Sequence, residues 1–269
     1  MCTHEVPIEI MRSQLSITSE CDISTFIMRG CLLIHGVTST PAILVPLRDA
    51  LSAAGYVVRL PMLAGHGGPI EDFDHVTWHD WYATVRAAYL ELKNSVDKVY
   101  YAGISLGALL GLKLAADEGW GVRALALMSV PLELPLHTRV LINLVRYSPL
   151  RFLIHSSRKD FSRSIADPSQ LEAYKSFALP CMPLAAVYQV LELQREVRAQ
   201  LAHITNPLLL QFGAQDVTSP PSNAELVKAG VSSDVVETEM YARSRHILTM
   251  DYDRAEVIAR IVDFFARFA

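Results

Sequence analysis

The sequence predicts an α/β fold with a mostly parallel central sheet and helices on both faces. Short aliphatic or aromatic runs alternate along the chain with amphipathic helical patterns, and this alternation is typical of a parallel sheet covered on both sides. The chain has 269 residues, of which 51% are hydrophobic, so it can bury a large core. One block of about 70 residues breaks the alternation, and it predicts an insertion between two strands.

The predicted strands are aliphatic or aromatic runs bounded by turn residues. In chain order they are 31–36, 56–61, 98–103, 122–131, 207–216 and 235–241. Helical periodicity predicts helices near 46–54, 78–94, 105–118, 221–229 and 252–268. Gly55 and Gly119 follow the first and third of these helices, where a C-terminal cap is expected. Near the N-terminus, PIEIMRSQLSI and ISTFIMRG are candidates for further leading strands.

Residues 132–203 contain no strand pattern, only helical segments such as RVLINLVRY and PLAAVYQVLELQREVRAQL. Such a segment is too long for an ordinary loop between two strands. We therefore predict that residues 1–131 and 203–269 form an α/β domain. Residues 132–202 are predicted to form a helical cap, or lid, inserted into that domain.

Ser105 stands between a predicted strand and a predicted helix, in the sequence Gly103-Ile104-Ser105-Leu106-Gly107. In a sharp strand-to-helix turn, side chains two residues before and after the central residue would collide with their surroundings. Glycine at both positions removes the collision and leaves the serine hydroxyl exposed above the sheet. The G-x-S-x-G pattern in this context predicts that Ser105 is a nucleophile.

A serine nucleophile needs a histidine base and an acid that orients the histidine. Asp216 ends the late strand PLLLQFGAQD, and His246 is the one histidine that follows it in the chain. Both residues are expected at strand ends, where they can meet Ser105. Glu133, just after the fourth predicted strand, is the alternative acid. The alternative roles are a turn residue for Asp216 and a structural loop histidine for His246.

The transition state also needs two hydrogen-bond donors for its negatively charged oxygen. The backbone N–H of Leu106 is expected at the positive end of the helix that this residue opens. The second donor is expected from the loop LLIHGVTST, where Gly36 permits a turn and the N–H of Val37 can point at the serine. His35 in the same loop is expected to have a structural role.

The sequence resembles the α/β-hydrolase superfamily, and within it the bacterial carboxylesterase and monoacylglycerol-lipase-like serine hydrolases. The similar segments are LLIHGVTSTP, LPMLAGHGG, TWHDWYATV, YYAGISLGALLGL, ITNPLLLQFGAQDVTSPP and RHILTMDYDRAEVIARIVDFF. The resemblance implies an α/β-hydrolase fold with an inserted helical cap. The site residues that it implies are Ser105, Asp216 and His246 as a catalytic triad, with oxyanion N–H groups from Val37 and Leu106. Arg245 departs from the family pattern, which usually has a small residue before the histidine.

The predicted function is hydrolysis of carboxylic esters with short-to-medium acyl chains through an acyl-enzyme, as in carboxylesterases or monoacylglycerol lipases. The partner is then a small-molecule ester, and no cofactor or metal is implied. One alternative is a thioesterase or C–C bond hydrolase with the same triad. The other is a non-catalytic protein of this fold that only binds its ligand, and the presence of all three triad residues argues against it.

The predicted cap carries large apolar residues at helical spacing, and some of them are expected to line a channel for the acyl chain. The candidates are Leu141, Ile142, Val145, Val187, Tyr188 and Leu191. Basic residues are also concentrated between His137 and Lys175. Either this stretch approaches anionic lipid, or its charges form a solvated outer face while residues such as Phe152 and Leu153 turn toward the channel. We favour the solvated face.

His75 and His79 lie four residues apart among aspartates, but the stretch lacks the glutamate of the H-E-x-x-H metal motif. Thr77 and Asp80 instead predict a capping box for the helix that begins at Trp78. The GHGG sequence at 65–68 lacks the lysine of a phosphate-binding loop, and it predicts a tight turn.

The net charge of −4 gives no electrostatic reason to expect a nucleic-acid partner. No apolar run approaches the roughly 18 residues that span a bilayer, and the first residues show no secretory signal pattern. The four cysteines are scattered and are expected as reduced thiols. These features predict a cytoplasmic protein without an integral membrane segment, and they leave its oligomeric state open.

Overall fold

The structure is a computed structural model that describes residues 27–269. The strands are β1 (Arg29–Ile34), β2 (Tyr56–Arg59), β3 (Lys98–Ile104), β4 (Leu125–Met128), β5 (Ser156–Arg158), β6 (Cys181–Pro183), β7 (Leu208–Gly213) and β8 (Val236–Tyr241). The α-helices are α1 (Val45–Ala53), α2 (Trp78–Lys93), α3 (Leu106–Glu118), α4 (Leu136–Arg146), α5 (Pro168–Phe177), α6 (Leu184–Gln200), α7 (Asn223–Gly230) and α8 (Arg254–Ala266). Short 3-10 helices span Pro41–Leu44, Ile70–His75, Gly119–Gly121, Pro149–Phe152, Phe161–Arg163, Leu201–His203 and Leu248–Met250. The candidate strand PIEIMRSQLSI and the first half of ISTFIMRG, residues 23–26, lie outside the described residues. The last two residues of ISTFIMRG, Arg29 and Gly30, begin β1.

Six strands form one parallel sheet in the order β2-β1-β3-β4-β7-β8. Cys31 of β1 pairs with Val58 of β2 on one side and with Tyr100 of β3 on the other. Because the strands are parallel, the loops that follow β1, β3, β4, β7 and β8 all leave the same edge of the sheet. The predicted fold class is confirmed, and this edge is where the candidate site lies.

Helices cover both faces of the sheet. Apolar side chains along each strand point alternately to the two faces, so both faces must be covered. Leu32 and Ile34 of β1 belong to a core that also includes residues of α2, α3 and α6. Cys31 and Leu33 belong to a second core, which includes residues of α1 and α8. Within residues 27–269, no helix has both the length and the apolar character needed to cross a membrane.

The fourth strand, Leu125–Met128, is shorter than the predicted segment 122–131 at both ends. The next residue, Ser129, has φ 49 and so turns the backbone into the left-handed region. Side chains alone do not signal this turn, since β-branched and aliphatic residues continue on both sides of it.

The segment between β4 and β7 contains α4, α5 and α6, and also an antiparallel pair of short strands, β5 and β6, that the sequence pattern did not predict. Three-residue strands are too short to show a period of two. The long helix α6 packs against α2 and α3, and Lys113 of α3 donates a 3.1 Å hydrogen bond to Gln200 of α6. The division at residues 132 and 202 stays a prediction.

The turn from β3 into α3 depends on two glycines. A Cβ atom on Gly107 would overlap the carbonyl oxygen of Ile34, and one on Gly103 would overlap the carbonyl of Gly107. Between them, Ser105 has φ 57 and ψ −117, a conformation that L-residues adopt only under strain. The sharp turn predicted from G-x-S-x-G is therefore present.

We expect Gly107→Ala to lower the free energy of unfolding by about 3 kcal/mol or more, because the new methyl group meets backbone that cannot move aside. Gly119→Ala is the matched control, since Gly119 has φ +52 but a Cβ added to it would have no atom within 4 Å. The control should lose only about 1 kcal/mol. Thermal unfolding followed by circular dichroism measures both, and equal losses would contradict the packing argument.

Candidate active site

Ser105 lies at the junction of β3 and α3, at the carboxyl edge of the sheet. Its backbone N–H donates to the carbonyl oxygen of Met128 at 2.9 Å, which fixes the turn against β4. Gly36, after β1, lies so close that a Cβ on it would be 3.3 Å from the Ser105 Cβ. The serine is 7% exposed, so it faces a cavity rather than open solvent.

His246 and Asp216 form a buried hydrogen bond in which His246 Nδ1 lies 2.8 Å from Asp216 Oδ2. The other carboxylate oxygen of Asp216 accepts the backbone N–H groups of Thr218 and Ser219 at 2.8 and 2.9 Å. These contacts hold the carboxylate in place, and they leave Nε2 as the free nitrogen of the imidazole. His246 and Ser105 line the same cavity. The structure thus brings the three residues together, and their catalytic roles stay predictions.

The loop that carries His246 is fastened by two residues that the sequence pattern did not single out. Ser129 Oγ donates to the carbonyl oxygen of His246 at 2.8 Å. The buried carboxylate of Asp251 accepts the backbone N–H groups of Arg245, Ala166 and Asp167 at 2.8, 2.9 and 2.9 Å. Asp251 therefore joins the histidine loop to the segment between β4 and β7. Neither residue belongs to a short motif, because most of their partners are backbone atoms far away in the sequence.

Arg245, the departure from the family pattern, points away from Ser105. Its guanidinium donates to the carbonyl oxygen of Ser162, in a 3-10 turn near the cavity rim. A long side chain is accommodated before His246 because it extends outward along this surface.

Glu133, the alternative acid, is engaged elsewhere. Its carboxylate pairs with Arg198 of α6. Its backbone N–H donates to Asn223 Oδ1 at 2.6 Å, and its carbonyl accepts from Asn223 Nδ2 at 3.1 Å. The geometry therefore favours Asp216 as the partner of His246.

The loop after β1 is held by His35, as expected for a structural histidine. Its Nδ1 lies 2.9 Å from the carbonyl oxygen of Gly36, and its Nε2 accepts the N–H of Leu63 at 3.2 Å. Burial lowers the pKa of His35 to about 3, so the ring is neutral near pH 7. The loop places Val37 against the cavity with Ser105, and Leu106 begins α3, where the first N–H groups have no partner inside the helix.

Two cavities of different character meet at Ser105. One, of about 580 Å³, has largely apolar walls and also contacts Leu106. Its apolar wall residues from the segment between β4 and β7 are Pro131, Leu134, Leu141, Ile142, Val145, Ile154, Met182, Leu184, Val187 and Val190. The other, of about 230 Å³, contacts Ser105 and His246 and has a mixed wall. Its charged and polar residues include Lys159, Arg163 and Ser164, and its apolar ones are Val37, Leu134, Pro135, Met182, Val217 and Ile247. We call them the apolar cavity and the polar cavity.

Four of the six predicted channel residues, Leu141, Ile142, Val145 and Val187, line the apolar cavity. Tyr188 and Leu191 do not lie in its wall. Tyr188 is rotated by about 100° around α6 from Val187, and Arg146 lies over its ring, 5.1 Å from the centroid. Leu191 lies one helical turn further along and faces a separate surface groove beside Asn143.

Phe152 and Leu153 were expected to turn toward the channel, and this expectation was wrong. They are 67% and 77% exposed, and Leu141 at the cavity wall is 61% exposed. The helix α4 and the turn after it are too short to bury both of their faces. The outer surface of this segment is therefore apolar as well as basic.

The other candidates have structural roles. Thr77 and Asp80 form the predicted capping box, with Asp80 Oδ2 accepting the N–H of Thr77 at 2.8 Å. In the GHGG sequence, Gly65 and Gly67 have φ values of +71 and +81, as the predicted tight turn requires.

Comparison with known proteins gives a consistent result. The family described as serine aminopeptidase, S33, matches residues 28–253. A thermostable monoacylglycerol lipase from Bacillus sp. (strain H-257) is 32% identical over 240 residues, which cover 89% of this chain and 91% of the relative. A carboxylesterase from Bacillus subtilis (strain 168) is 26% identical, with 89% and 93% covered. A structure of metagenome-derived lipolytic enzymes, LipS and LipT, superposes with a TM-score of 0.80 at 24% identity, covering 90% of this chain and 94% of that one.

We expect Asp216→Asn to fold normally and to lose most of its activity, because the amide cannot accept the Nδ1–H of His246 in the same way. Glu133→Gln is the matched control, and it should retain activity close to that of the unmodified protein. Initial rates with a nitrophenyl ester measure both. Loss in the control with retention in Asp216→Asn would assign the acid to Glu133 instead.

Proposed function

The chain belongs to the serine aminopeptidase S33 family of α/β-hydrolases and is a serine hydrolase of carboxylic esters, and from this premise we propose that Ser105, His246 and Asp216 carry the reaction. The observation that supports this proposal most directly is the arrangement of the three side chains. His246 is hydrogen-bonded to a buried Asp216 and lines one cavity with Ser105, which stands on a strained turn.

In the proposed reaction, His246 Nε2 takes the proton of the Ser105 hydroxyl as the oxygen attacks the acyl carbon. The N–H groups of Val37 and Leu106 stabilise the oxyanion. His246 then gives the proton to the departing alcohol, and a water molecule, activated by the same imidazole, releases the acid from Ser105. Asp216 holds the imidazole in the tautomer that both steps need.

The two cavities at Ser105 support an assignment of the two halves of the ester. The acyl chain enters the apolar cavity, where its methylene groups leave water against aliphatic side chains. The alcohol occupies the polar cavity beside His246, which must protonate it. The relatives are a monoacylglycerol lipase and a carboxylesterase, and they support an ester over a thioester or a carbon–carbon bond.

We expect Ser105→Ala and His246→Ala each to lower kcat by about 10⁴-fold or more, and the double variant to be little worse, because the residues act as one unit. The comparison requires that each variant retains the unfolding temperature of the parent. A folded single variant with nearly normal turnover would contradict the proposed roles.

We also expect kcat/KM to rise from acetyl esters toward acyl chains of about four to ten carbons, because each buried methylene contributes about 0.8 kcal/mol. A series of nitrophenyl esters measures this profile. Val187→Ala should flatten it, whereas Leu226→Ala, an exposed leucine of α7, is the control that should not. A profile that is highest at acetyl, and that Val187→Ala does not change, would show that the apolar cavity does not hold the acyl chain.

A further inference from the structure

Lys159 is a cation in the wall of the polar cavity that the proposed reaction does not use. Its Nζ donates to two neutral hydroxyl groups, Tyr174 at 2.6 Å and Thr38 at 3.3 Å. Among residues 27–269, no carboxylate lies within ion-pair distance of it. An ammonium group has three N–H donors, so one donor remains beyond these two hydroxyl partners.

The surroundings of Lys159 raise the free energy of its charged form. The side chain is half-buried, and this burial lowers its pKa to about 8. The pKa of the adjacent Tyr174 is raised, also by burial, so the phenol stays neutral and cannot serve as a counter-ion. A half-buried cation held only by neutral oxygens is stabilised by an anion that reaches it.

The other charged residues around the polar cavity favour an anion too. Arg163, at the rim, lines both cavities next to Ser105. Asp160 also lies in the wall of the polar cavity, but it is exposed, and its Oδ1 accepts the N–H and hydroxyl of Ser162 at 3.0 and 2.6 Å. These hydrogen bonds from Ser162, together with the charges of Arg163 and Arg245, lower the pKa of Asp160. The wall therefore combines a half-buried cation that has no carboxylate partner among residues 27–269 with a carboxylate whose charge is already compensated.

We propose that Lys159 is a specificity-determining residue, and that the polar cavity binds esters whose alcohol portion carries a negatively charged group, a carboxylate or a phosphate. This inference rests on the proposed function, since it assigns the alcohol to the polar cavity. The anion accepts the remaining N–H of Lys159 while the ester carbonyl lies at Ser105. Arg163 at the rim attracts the same charge on entry.

A purely structural role for Lys159 predicts a different result. Lys159 connects Thr38, next to the oxyanion residue Val37, to Tyr174 of α5. If this connection were its whole contribution, its removal would disturb the loop after β1 and slow every ester alike. A charged and a neutral substrate of equal shape separate the two roles.

The test compares 4-(hexanoyloxy)benzoate, which is anionic, with 4-(hexanoyloxy)benzamide, which is neutral and nearly isosteric. We expect the parent protein to prefer the benzoate in kcat/KM, and Lys159→Met to lower kcat/KM for the benzoate by about tenfold or more while changing the benzamide less than about twofold. Lys159→Arg keeps the charge and should retain much of the preference. Lys175→Met is the control, because Lys175 of the same segment is paired with Glu172 at 2.6 Å and should change neither ester.

The benzoate-to-benzamide ratio of kcat/KM should also fall between about pH 7 and pH 9.5. Lys159 loses its proton as the pH rises through its pKa of about 8, whereas Asp160, whose pKa is lowered, keeps its charge and Tyr174, whose pKa is raised, stays neutral. The other charged or titratable groups of this wall are Arg163 and His246. The proton transfers at His246 are common to both esters and cancel in the ratio.

Several outcomes would overturn the inference. These are a parent protein that prefers the benzamide, equal losses for both esters in Lys159→Met, and a ratio that does not respond to pH. Each leaves the proposed function intact, because the benzamide ester still reports hydrolysis that depends on Ser105. Failure of the parent protein to hydrolyse either ester would instead contradict the proposed function.

Discussion

The close approach of α3 to the end of β1 is the contact on which the candidate site depends. Gly107 in the first turn of α3 lies directly against the carbonyl oxygen of Ile34, and no side chain fits between them. This contact forces the sharp turn that strains Ser105 and brings Gly36 against it. In the proposed reaction the N–H groups of Val37 and Leu106 stabilise one oxyanion, and this requires that their two elements meet here. A turn wide enough for ordinary residues would separate Ser105 from these N–H groups.

The histidine loop is built on a different physical basis, since hydrogen bonds to buried carboxylates hold it. Asp251 accepts N–H groups from Arg245 and from residues 166 and 167. Asp253 accepts the N–H of Arg243 at 3.1 Å and the hydroxyl of Ser244 at 2.8 Å. A charged acceptor strengthens each of these bonds relative to a neutral one. The loop is thereby fixed without regular secondary structure, which suits a residue that must reach across from β8 to β3.

Much of this structure could be predicted from the sequence, because strong local signals coincide with it. The alternation of strands and helices, the two glycines around Ser105 and the order of Asp216 and His246 all lie in short, recognisable stretches. Ser129, Asp251 and Lys159 could not be identified, since most of their partners are distant in sequence and consist of backbone or hydroxyl groups. The direction of the side chains of Tyr188, Leu191, Phe152 and Leu153 could not be predicted either. It depends on how the helices of this segment are rotated on the core, which helical periodicity alone does not fix.

The exposed apolar surface of α4 and the turn after it gives the molecule an amphiphilic end. Nine large hydrophobic side chains between Leu136 and Ile154 are at least 38% exposed. The sequence from Leu134 to Lys159 contains basic residues and no acidic ones. Adsorption at a boundary between water and oil removes such surface from water, so interfacial tension orients the protein with this end toward the oil. Leu141 belongs both to this surface and to the wall of the apolar cavity, so the orientation that tension selects also brings this wall of the cavity to the oil phase.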